Sequence, residues 1–106
     1  MSIKISEHLI GKDHKPFIMA EAGLNHNGDL ERAFEMIKIA KNSGATAIKF
    51  QTFSANEIVL DKNLVYTYQN QGSDITEPLY DILHRCEFSK NEWQNIKNKC
   101  EEHKIL

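Results

Sequence analysis

Phe17-Ile18-Met19-Ala20-Glu21-Ala22-Gly23 and Ala45-Thr46-Ala47-Ile48-Lys49-Phe50-Gln51-Thr52-Phe53 are two apolar runs, and the segment between them decides the fold. A polar turn, Asn25-His26-Asn27-Gly28, follows the first run. From Asp29 to Ser43, the residues Leu30, Ala33, Phe34, Ile37 and Ala40 recur at spacings of three and four, the stripe of one helix face. Asp29 and Glu31 stand in the first turn, where the helix dipole favours acids, while Lys41 stands in the last and Gly44 supplies the stop. Two apolar runs joined by a helix predict a βαβ unit with parallel strands.

Both runs are interrupted by polar groups near their C-terminal ends. On the period-2 rule Met19 and Glu21 share one face of the first strand, with Ile18, Ala20 and Ala22 on the other. Ala47, Lys49 and Gln51 share a face of the second strand, with Ile48, Phe50 and Thr52 opposite. The C-terminal edge of parallel strands is where α/β folds bind ligands.

Outward from this unit the chain is less regular. Ile3 and Ile5 alternate with Lys4, and His8 to Gly11 can pair back on them, which predicts a hairpin; Lys12 to Pro16 then reads as a polar connector. The pattern breaks down from Ser54 to Ile75 and predicts a long loop. Thr76-Glu77-Pro78 opens a short helix with Leu79, Ile82, Leu83 and Cys86 on its apolar face. Ser89 and Glu92 have the spacing of a capping box, and Phe88 and Trp93 that of a hydrophobic staple, at the start of a helix continued by Ile96 and Cys100. Its many lysines read as a solvated face. Ile105-Leu106 reads as the start of a third strand. A two-stranded parallel sheet is not a finished domain, so the order of elements predicts the leading piece of a larger α/β protein.

Composition narrows the function. With 106 residues and 41% hydrophobic content the chain is long enough for one small domain, and a net charge of −2 leaves it without the basic footprint of a nucleic-acid binder. No apolar run approaches the roughly 20 residues that span a bilayer. Cys86 and Cys100 form no Cys-x-x-Cys pair and read as thiols of a reducing compartment, hence the cytoplasm.

If the two strands are neighbours, Glu21, Lys49 and Gln51 gather at one mouth. Lysine offers a point charge for phosphate or carboxylate, glutamine offers a donor and an acceptor, and glutamate serves as acid, base or charge partner of Lys49. The bland alternatives stay open. Glu21 and Lys49 are then a structural ion pair, and Asn25 to Gly28 is simple turn chemistry with His26 a solvated loop residue. His8, His14, His84 and His103 lack metal-ligand spacing. Tyr66, Tyr68 and Tyr80 read equally as lid or core.

Taken together, FIMAEAGLNHNGD (residues 17–29) and AKNSGATAIKFQTF (residues 40–53) resemble the sialic acid synthase family, the bacterial N-acetylneuraminate, legionaminate and pseudaminate synthases. The resemblance implies a (β/α)8 TIM barrel followed by a small antifreeze-like domain. Residues 1–16 are then a hairpin and connector, and residues 17–106 the first β/α units. It implies condensation of phosphoenolpyruvate with the open-chain aldehyde of an N-acylated hexosamine such as N-acetylmannosamine, in a homodimer. A divalent metal, Mn2+ or Mg2+, is implied on ligands outside these residues, as is a capping arginine from the C-terminal domain. By motif, Glu21 resembles the essential carboxylate, Lys49 the phosphoenolpyruvate-binding lysine, and Gln51 a residue near the sugar and metal-bound water. The particular sugar stays open. Other possibilities are a non-catalytic barrel fragment and another phosphoenolpyruvate-dependent 3-deoxy sugar acid synthase.

Overall fold

The computed structural model describes residues 1–106 as an α/β structure. Strands β1 (Ser2–Ile5) and β2 (His8–Gly11) form the expected antiparallel hairpin. Strand β3 (Met19–Gly23) then leads through the polar turn to α1 (Leu30–Asn42) and back to β4 (Ala47–Phe50), which lies parallel to β3. This is the predicted βαβ unit. Asp29 caps α1 from outside: its carboxylate accepts from the N–H groups of Glu31 and Arg32.

Helix α4 (Lys90–Glu102) packs against α1. Its start carries the full capping box between Ser89 and Glu92. The staple is made as well, with the Phe88 and Trp93 rings edge to face at 5.2 Å. Ala33, Ile37 and Ala40 of α1 meet Ile96 of α4, together with Phe88 and Ile105. Ala20, Ile48 and Phe50 bring one face of the β3–β4 sheet onto this core, which leaves Glu21 and Lys49 on the opposite face. At the chain's end the Leu106 carbonyl accepts from Ile48 N–H at 2.8 Å, and Leu106 N–H donates to Thr46 at 3.2 Å. The expected third strand thus begins beside β4.

Three expectations are corrected. The second parallel strand stops at Phe50, so Gln51 lies beyond its last paired residue. Residues 54–75 are not one loop: they contain α2 (Ala55–Ile58) and most of a second antiparallel hairpin, β5 (Val65–Asn70) and β6 (Ser73–Pro78). Gln71 and Gly72 both take positive φ, 51° and 82°, the geometry of a tight two-residue hairpin turn. Thr76 and Glu77 belong to β6, and the short helix α3 (Leu79–Arg85) starts only after Pro78.

The core is small. Only 12 of 106 residues are buried, and Ile18, Met19 and Ile39 are each more than half exposed beside the unpaired edge of β3. An apolar cleft of about 390 Å³, with Ile18, Met36, Ile39, Ala45 and Ile48 in its walls, runs along the same edge. Free strand edges flanked by apolar surface template pairing with other chains. The 106-residue chain is therefore expected to self-associate, seen in sedimentation as a mass that rises with concentration. A cooperatively folded monomer that persists at high concentration would contradict this. No helix is long and apolar enough to cross a membrane.

Candidate active site

Glu21 and Lys49 face each other in register across β3 and β4. The ammonium lies 2.9 Å from Oε2 of the carboxylate, and both side chains are about half exposed, 54% for Lys49 and 51% for Glu21. The other carboxylate oxygen, Oε1, accepts from Gly23 N–H at 2.8 Å. The bond from Lys49, helped by the one from Gly23, holds the Glu21 carboxyl below the usual carboxylate range. The residue pair sits near the C-terminal ends of both strands, one register pair before the last, Gly23 with Phe50. A solvated pair of this kind adds little net stability. Gln51 is exposed and hydrogen-bonds to neither residue, so the structure brings together two of the three expected residues.

The turn after β3 is more than loop chemistry. His26, expected in solvent, is completely buried. Its ring lies 4.5 Å from Phe88 and 6.1 Å from Phe50, centroid to centroid. Nδ1 accepts from Gly28 N–H at 3.0 Å, and Nε2 is buried with no hydrogen-bond partner. Burial lowers the pKa of this imidazole. Its aromatic partners come from β4 and from the distant approach to α4, so nothing within the turn itself announces the burial.

Arg85, Glu77 and Tyr68 form a cluster that sequence reasoning missed. The Arg85 guanidinium grips Glu77 with both terminal nitrogens, Nη1 to Oε2 at 2.7 Å and Nη2 to Oε1 at 2.6 Å. Tyr68 donates to Glu77 Oε1 at 2.6 Å. Arg85 Nε donates to Asn27 Oδ1 at 3.3 Å. A cleft of about 400 Å³ opens between this cluster and the turn, with Asn25, Arg32, Tyr66 and Asn70 in its walls. The alternation of Val65, Tyr66, Thr67 and Tyr68 was the available signal for the strand that carries Tyr68.

The cluster gives a pH signature. Arg85 first, and Tyr68 second, hold the Glu77 carboxyl down at about 2 from an ordinary 4.5. The unfolded chain therefore takes up the proton first. The contribution of Glu77 is complete above pH 4.5 and is lost as pH falls toward 2. Urea midpoints followed down through this window are expected to drop less in Glu77→Gln than in the parent chain. Parallel curves would show that the cluster contributes nothing.

The profile of the NeuB family matches residues 36–106. The chain belongs to the NeuB family. It is 43% identical over 76 residues to N,N'-diacetyllegionaminic acid synthase of Legionella pneumophila, covering 72% of this chain and 21% of that protein. It is 34% identical over 104 residues to protein MJ1065 of Methanocaldococcus jannaschii, covering 98% of this chain and 27% of that protein. Among solved structures, the N-acetylneuraminic acid (sialic acid) synthetase of Leptospira borgpetersenii superposes with a TM-score of 0.79 at 31% identity, over 100% of this chain and 32% of that one. This NeuB-family chain thus spans about a quarter of the length of the curated relatives it matches. Within it, no three or more His, Cys, Asp or Glu side chains gather in one place.

Proposed function

We propose that this chain is the leading part of a nonulosonic acid synthase, which joins phosphoenolpyruvate to an N-acylated hexosamine such as N-acetylmannosamine and releases phosphate. On this proposal residues 17–106 are the first β/α units of a (β/α)8 barrel, preceded by the hairpin and connector of residues 1–16. The protein acts as a cytoplasmic homodimer, with its divalent metal, Mn2+ or Mg2+, held by residues outside this chain. The observation that carries the proposal is the Glu21–Lys49 pair, in register at the C-terminal ends of two parallel strands in a member of the NeuB family.

The chemistry asks for a cation and a carboxylate side by side. Lys49 is available to bind the phosphate or carboxylate of phosphoenolpyruvate, exchanging Glu21 for the substrate anion. The terminal carbon of the enol then bonds to the aldehyde carbon, whose oxygen takes a proton. Water adds to the cationic centre left on the enol carbon, its proton leaves to a base, and the carbon–oxygen bond to phosphate breaks. Glu21, ionised and beside Lys49, is the base or charge partner for these proton transfers. Gln51, exposed just past β4, has the donor and acceptor to contact the sugar.

The test is product formation. Full-length protein given phosphoenolpyruvate, Mn2+ and N-acetylmannosamine or a diacetylated relative is expected to release phosphate and yield a sugar acid in equal amounts. The 106-residue chain alone is expected to yield neither. Absence of product from the full-length protein with every N-acylated hexosamine would overturn the proposal, and steady turnover by the short chain would refute the need for the remaining barrel.

A further inference from the structure

We infer that Arg85 is a positioning residue: it clamps the turn that follows Glu21 to the β5–β6 hairpin, and so fixes where the Glu21 carboxylate stands. The inference rests on the synthase reading of Glu21 and adds to it a residue from the far end of α3. Arg85 has two holds on the turn. Its Nε donates to Asn27 Oδ1, and its main-chain carbonyl packs so closely on Gly28 that a Cβ there would overlap it. The same guanidinium is anchored on the hairpin side by Glu77 and Tyr68.

The turn is in turn stitched to β3. Asn25 donates to the Ala22 carbonyl through both its main-chain N–H at 3.1 Å and its side-chain amide at 3.0 Å. Gly23 N–H then meets Glu21 itself. Beneath the turn, His26 is pressed onto Phe88, three residues beyond Arg85. A displacement at Arg85 therefore has a continuous covalent and hydrogen-bonded route to Glu21, and Lys49, on β4, lies one step further along it, through its ion pair with Glu21. Only arginine fits this place. Its fork engages Glu77 bidentately and still aims Nε at Asn27, whereas a lysine ammonium offers a single point. Arg85 stays 38% exposed, so its replacement removes orientation more than core packing.

The experiment uses the full-length protein with Arg85→Gln, Arg85→Lys and Glu77→Gln. Amide hydrogen exchange at Asn27, Gly28 and Asp29 is expected to quicken by about tenfold or more in Arg85→Gln, with α1 and α4 unchanged. Its kcat is expected to fall on the order of tenfold or more, while KM for phosphoenolpyruvate moves far less, because small misplacements of a reacting group cost rate. Arg85→Lys recovers part of both. If Arg85→Gln does not fold, Glu77→Gln loosens the anchor and gives the same pattern in weaker form. Unchanged exchange in the turn overturns the clamp. A loosened turn with unchanged kcat, or a fall in kcat explained by the fraction unfolded, overturns the positioning of Glu21. Parent protein without synthase activity overturns the reading of Glu21 instead, and the exchange data then decide the clamp alone.

Discussion

Lys49→Met in the full-length protein is expected to leave the fold intact and to weaken phosphoenolpyruvate binding roughly 30- to 1000-fold, about 2–4 kcal/mol. Methionine keeps the length and apolar stem of lysine but offers no charge to a substrate anion. The fold is expected to survive because the Lys49 side chain is 54% exposed and its partner 51% exposed, and exposed ion pairs add little. Melting temperature and phosphoenolpyruvate affinity measured on one sample separate the two roles of the pair. A large drop in melting temperature with affinity unchanged would make Lys49 scaffold.

The second large effect is on stability. Gly28→Ala is expected to lower the melting temperature of the full-length protein far more than Gly72→Ala does, followed by circular dichroism. Gly28 has φ +75° and faces the Arg85 carbonyl with no room for a methyl group. The left-handed conformation alone costs roughly 1–3 kcal/mol for a residue with a side chain. Gly72→Ala is the control. Gly72 has φ +82° but nothing within 4 Å of the added carbon, so it carries the strain without the collision. Equal melting temperatures for the two variants would show that the turn and α3 are not in close contact.

What was legible in the sequence follows from how local each signal is. The stripe from Leu30 to Ala40 and the Ser89–Glu92 box act within a few residues, and both were read correctly. The pairing of Glu21 with Lys49 needed only the period of two and the assumption that the strands are neighbours. The β5–β6 hairpin was missed because polar residues crowd its tip from Gln69 to Asp74, where alternation signals only a half-buried surface. His26 was misread for a different reason. Its burial depends on Phe88, and no pattern within Asn25 to Gly28 shows a partner so far along the chain. The same distance hid the contacts of Arg85, which appear only when the hairpin and the turn are placed side by side.

The central claim is that the paired ends of β3 and β4 receive phosphoenolpyruvate. A crystal structure of the full-length protein with phosphoenolpyruvate bound tests it most directly. An anionic oxygen of the substrate is expected within about 3 Å of Lys49 Nζ, in place of or beside the Glu21 carboxylate. Substrate bound elsewhere, with the 2.9 Å contact between Lys49 and Glu21 left as it is, would contradict the account.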